Sequence, residues 1–272
     1  MGTWERILFS ETILSEETTL ASATLLLGEL LAVLGLLLLA DRWLHRHLQG
    51  LMFLLTHDAE ISVWLYALTL FPGVLLHESS HALMARLLGV RIGRLSILPR
   101  RVGKRIQLGV VPVEETDIFR ASLIGAAPLL AGAAVIFAIG HFSFGTPEMV
   151  AALSNGDWLA ALRGLREAFY APDVWIWAFL VFTIGNTMLP SRADTHAWPF
   201  LGAVGVFVGA LIVLAGAGTT LLNGFTRLLT RAVEWIILLG ASTLLVDAPF
   251  FLVIWLLEKL LERITGKQIV YG

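Results

Sequence analysis

The sequence predicts an all-α membrane protein: one integral membrane domain over residues 1–272, a polytopic bundle of about six transmembrane helices with a small membrane-associated β-hairpin. Three observations predict it. Hydrophobic residues make up 57% of the chain and charged ones 15%, where a soluble domain carries about 25% charged. The mean hydropathy is +0.80. Apolar runs recur at lengths near 20 residues, enough to cross about 30 Å of hydrocarbon. The same composition excludes a disordered chain, which needs low hydrophobicity and high charge. A formal net charge of −2 with no separate basic region argues against a nucleic-acid partner. There are no cysteines, so any metal site must be built from His, Asp and Glu.

Taken in order, the first span covers about 20–40 and contains Glu29. The acidic segment before it, with Glu5, Glu11, Glu16 and Glu17 against Arg6, lacks the basic start of a secretory signal. His45, His47 and His57 follow in an expected loop, where a surface role fits better than metal binding. The second span, about 61–90, contains His77, Glu78 and His81. Residues 91–117 then read as two strand-like stretches about a basic turn at 99–104, the expected hairpin. The third span, about 121–140, carries no charge. Apolar residues at helical spacing over 157–169 predict an interfacial helix. The fourth span, about 174–190, is short and ends in polar residues; the fifth covers about 198–218. The sixth, about 232–257, carries Asp247 and, two residues on, Pro249, which suggests a kink. Trp43, Trp64, Trp175, Trp198, Trp235 and Trp255 fall near span ends, where indole rings favour the membrane interface.

Orientation follows from Lys and Arg. The segment between spans two and three and the C-terminal tail carry the larger excess, which places them in the cytoplasm. Six spans put both termini and the chemically active end on that side. The expected location is a prokaryotic cytoplasmic membrane, with the lipid bilayer as solvent.

The second span contains His77-Glu78-Ser79-Ser80-His81. Positions i and i+4 share one helix face about 5–6 Å apart, so the two imidazoles can bind one tetrahedral Zn²⁺. Glu78 lies beside the first ligand, placed to take a proton from an activated water. Ionisable groups inside a span are costly and functional by default. A catalytic zinc site needs a third protein ligand and an open position. Asp194 is the first candidate and His196 the second, both near the depth of the histidines. Asn186, eight residues before Asp194, can hydrogen-bond a substrate carbonyl or a developing oxyanion; with Pro190 it can also simply cap a broken helix. Glu29 and Asp247 are each expected to face the bundle interior and bond a neighbour.

With these motifs, HESSH in a span and later N-T-M-L-P-S-R-A-D, the chain resembles the site-2 protease family of intramembrane zinc metalloproteases. The resemblance covers about 73–194 and implies a core catalytic region of about 61–198, with spans 20–40, 198–218 and 232–257 as accessories. It implies that His77, His81 and Asp194 hold zinc, that Glu78 is the general base and that Asn186 positions substrate. It also implies a hairpin after the motif helix and a Gly-Pro-Leu-like start to the next span, loosely matched by Gly125 to Leu129. Two departures are visible: Pro190 comes four residues after Asn186 where the family has three, and Thr195 follows Asp194 where the family has Gly. The implied activity is metalloendopeptidase cleavage in or near a transmembrane segment of a membrane-protein substrate. The alternatives are a non-proteolytic zinc-binding regulator of the same fold and a proton- or ion-coupled transporter. The oligomeric state is not fixed by the sequence.

Overall fold

The structure, a computed structural model, describes residues 3–269 other than 95, 103–104, 190, 197 and 215–217. Nine helices are present among these: α1 (Thr3–Thr56), α2 (Ala59–Leu87), α3 (Ile118–Ser143), α4 (Thr146–Ser154), α5 (Trp158–Tyr170), α6 (Val174–Gly185), α7 (Arg192–Thr195), α8 (Trp198–Leu214) and α9 (Gly218–Thr265). Their starts are written in side chains. Asp58 accepts the N–H groups of Glu60 and Ile61 at 2.8 and 2.9 Å, Asp117 those of Phe119 and Arg120, and Asp157 that of Ala160. Each satisfies backbone donors that a first turn leaves open. At the end of α2, Gly89 takes the left-handed φ of +70° that stops the helix.

Four helical segments are long and apolar enough to cross a membrane: Thr24–Thr56, Ala59–Leu87, Ile118–Ser143 and Arg227–Thr265. A fifth span exists only if α5 and α6, bent by 100°, count as one. About six spans are expected, and among the described residues four or five helical segments qualify. The fourth expected span reduces to α6, 12 residues and about 18 Å, short of the about 30 Å of a bilayer core. Ala171, Pro172 and Asp173 separate it from α5, because the residue before proline is driven out of helical backbone. The fifth expected span is the 17-residue α8.

The expected loop after the first span is also corrected. Helix continues to Thr56, so His45 and His47 sit on α1. A continuous hairpin over 91–117 is not seen. Strands β1 (Arg100–Val102) and β2 (Arg105–Gln107) pair antiparallel over three residues, and two lone bridges, Ile92 with Val113 and Ser96 with Val110, tie the segment lower down. Pro99 and Pro112 remove ladder donors, which keeps the pairing intermittent. Residues 103–104 of the expected basic turn at 99–104 lie outside the described residues.

Helix α2 is central. It packs against α1, α3 and α6, while α9 lies along α1 and α6. Leu44 and Leu48 of α1, Leu70 of α2, Phe182 of α6 and Ile254 of α9 form one buried cluster. Ile136 and Ile139 of α3 join Val181, Ile184 and Met188 in a second. Leu25, Leu31, Leu68, Leu130, Val206 and Leu252 face outward, the surface that hydrocarbon surroundings favour.

Candidate metal centre

The motif helix is held so that both imidazoles point the same nitrogen at one spot. His77 Nδ1 donates to the carbonyl of Thr187 at 2.8 Å, and His81 Nδ1 donates to the carbonyl of Ile124 at 2.8 Å. A carbonyl only accepts, so each Nδ1 carries the proton and each Nε2 presents a lone pair. Both carbonyls are free for local reasons. Thr187 lies just past the end of α6, where helix carbonyls have no helical donor. Ile124 sits four residues before Pro128 inside α3; proline has no N–H to claim that carbonyl.

The two Nε2 atoms stand 3.2 Å apart, and Asp194 Oδ1 lies 3.2 Å from His81 Nε2. Two ligands each 2.0–2.1 Å from a tetrahedral zinc stand about 3.3 Å apart. Two lone pairs and a carboxylate converging at this separation suit a cation between them. Asp194 is oriented by its own short helix: Oδ2 accepts the N–H of Ser191 at 2.7 Å while Ser191 Oγ accepts the N–H of Asp194. Burial pushes the Asp194 carboxyl up, but the Ser191 donors, and the His81 imidazole when a proton rather than a metal sits on its Nε2, outweigh it and hold the group at about 2. It is therefore an anion, ready as a ligand, throughout the neutral range. His77, His81 and Asp194 lie close enough to bind one metal ion. His196, the second candidate, borders the same cavity as Asp194 but stands outside this group.

Three glycines let the surrounding backbone reach the centre. A Cβ on Gly73 of α2 would overlap the Thr183 carbonyl and the Thr187 hydroxyl, so only glycine brings the end of α6 against α2 one turn before His77. A Cβ on Gly125 of α3 would overlap the backbone of Asp194. A Cβ on Gly109 would stand 2.7 Å from Glu78 Cγ and Oε1. Glu78 itself is 8% exposed.

No family model, no curated protein and no solved structure matches the chain.

Glu78, His77 and Asn186 border a cavity of about 940 Å³, with Gly109 above it and α1 opposite. A second cavity, of about 520 Å³, opens on the His81 and Asp194 side. Asn186 is buried, and its Nδ2 donates to Phe182 O at 2.9 Å and to Asp247 Oδ2 at 3.0 Å. Since Phe182 O only accepts, the amide orientation is fixed. Both N–H groups are engaged, so Asn186 offers an acceptor, Oδ1, and no donor for a substrate oxygen. This revises the expected oxyanion contact. Pro190, the other element of that expectation, lies outside the described residues. Asp247 faces inward as expected and is 1% exposed. Glu29 is the opposite of its expectation: it lies on the exposed side of α1.

Sequence reasoning missed Gly109, the role of Pro128 and the α1 wall. A glycine inside a strand-like stretch often marks a close backbone approach, and a proline inside a helix always frees a carbonyl one turn earlier. Those two signals were available. His45 is partnered on α1, donating from Nε2 to Asp41 Oδ1 at 3.0 Å, with Tyr66 O–H donating to its Nδ1 at 2.7 Å. His47 pairs with the buried Glu258.

Proposed function

We propose that this protein is an intramembrane zinc metalloprotease that hydrolyses peptide bonds in or near transmembrane segments of membrane-protein substrates. The observation that carries the reading is the convergence of His77 Nε2 and His81 Nε2 of α2 with Asp194 Oδ1 of α7, beside Glu78 of α2 in the adjoining cavity. Two imidazoles and a carboxylate suit zinc among the divalent metals. Zn²⁺ held there would supply Lewis acidity, polarising a carbonyl and acidifying water to a pKa of about 7.

The chain's own residues do the rest. Glu78 receives the proton of the attacking water and passes it to the departing amine. Its burial and the close backbone at Gly109 keep the carboxylate in one place. Asn186 accepts a substrate backbone N–H through Oδ1, and Asp247 fixes which face it shows. A helix hides its carbonyls, so the substrate must be extended. The segment from Leu108 to Val113, which passes over Glu78 and bonds only intermittently to 92–96, is the candidate partner for strand addition.

Glu78→Gln tests this reading. It keeps the shape and removes the base. Wild-type and variant protein are co-expressed with a panel of single-span proteins tagged at both ends. The expected outcome is new fragments with wild type only, a loss of at least about 100-fold in rate for the variant, and unchanged metal content. Fragments at equal rates from both would refute the role of Glu78 and with it the proposal.

A further inference from the structure

The larger cavity has a second wall. On α1, Asp41, Arg42, His45, Arg46 and Gln49 recur at helical spacing, and all border the cavity that holds His77 and Glu78. The turns before them are apolar, with Leu31, Leu36 and Leu39 facing outward. Charged groups within a helix long and apolar enough to cross a membrane are costly and mark function when they line a cavity. Two of the five are already committed, since Asp41 and His45 bond each other and His45 bonds Tyr66. Arg42 and Arg46 differ: among the described residues neither takes part in an ion pair. They stand one turn apart, about 5–6 Å between Cβ atoms, where two planar guanidinium forks can close on one carboxylate. Of the other acids on the cavity, Asp41 is engaged by His45 and Glu78 is buried against Gly109.

We propose that Arg42 and Arg46 form a specificity subsite that takes an acidic side chain of the peptide substrate. It rests on the protease reading for the identity of its ligand. An anionic lipid headgroup presents the same oxygens. The peptide is favoured because one cavity runs from the arginines to Glu78 and is also lined by Ile106, Leu108 and Gly109 of the segment that could pair with an extended chain.

The test uses full-length protein in nanodiscs of phosphatidylcholine, on the Glu78→Gln background so that binding is read without cleavage. The probes are fluorescent ten-residue peptides carrying a single Glu, Gln or Lys at each position in turn. Glu peptides should bind about tenfold tighter than their Gln counterparts at one or two neighbouring positions. Arg42→Ala with Arg46→Ala should remove the difference, and Arg42→Glu with Arg46→Glu should shift preference to Lys, with metal content constant. Equal binding of Glu and Gln peptides, a preference that survives the double alanine variant, or no peptide binding at all would overturn the proposal. Phosphatidylglycerol retained by wild type and lost by the double variant, without a Glu preference, would assign the arginines to a lipid and also overturn it. Cleavage by wild type without acidic preference refutes the subsite alone; a Glu preference without any cleavage refutes the protease alone.

Discussion

Pro128→Ala should make the protein more stable and its metal weaker. Proline in a helix interior removes a hydrogen bond and costs about 3 kcal/mol. In α3 that missing bond is what leaves the Ile124 carbonyl free, and His81 Nδ1 donates to it at 2.8 Å. Alanine restores an N–H at 128, which returns Ile124 O to the helix and competes with the imidazole. Loss of a partner behind a metal-binding histidine typically costs 10–100-fold in affinity, about 1.4–2.7 kcal/mol. The two effects have opposite sign, which separates them from general damage. The assay is competitive zinc titration of detergent-purified protein alongside thermal unfolding of the metal-free form. The expected result is a higher unfolding temperature with zinc binding weakened 10–100-fold. Unchanged zinc affinity in a variant whose stability has risen would refute the claim that Pro128 serves His81.

Other substitutions divide the site into parts. Gly109→Ala places a methyl 2.7 Å from Glu78; cleavage should fall at least about tenfold, since small misplacements of a reacting group cost heavily, while zinc stoichiometry holds. Gly125→Ala pushes against the Asp194 backbone, so here zinc content itself should drop, read by metal analysis beside wild type. Asp247→Ala removes the Asn186 partner on α9; unfolding in detergent should show a loss of about 1 kcal/mol, the scale of hydrogen bonds between membrane helices, with zinc retained. Zinc lost in that last variant would show that the Asn186 pair supports the metal after all.

The parts of the site that were legible in the sequence are the parts set by local geometry. HESSH reads directly because i and i+4 share a helix face, and the capping box that aims Asp194 is four residues long. What closes the site is not local. His81 is braced by a carbonyl 43 residues away, His77 by one 110 residues away, and Asn186 takes its orientation from Asp247 across 61 residues. The break inside the fourth expected span was not legible, because apolarity measures what a segment can tolerate, not where its helix breaks; Pro172 and the turn at Asn186 bound α6 to 12 residues. The polar residues at 41–49 looked like a loop by composition. Their 3.6-residue spacing places them instead on one face of α1, toward the cavity.

Two segments more than a hundred residues apart, α2 and α7, converge on one candidate metal site. The most direct measurement is the metal content of detergent-purified wild type beside His81→Ala and Asp194→Ala. About one zinc per chain, lost in both variants, is the result the account predicts. Folded wild-type protein that carries no zinc and fails to take up added zinc, or zinc that remains bound after Asp194→Ala, would contradict it.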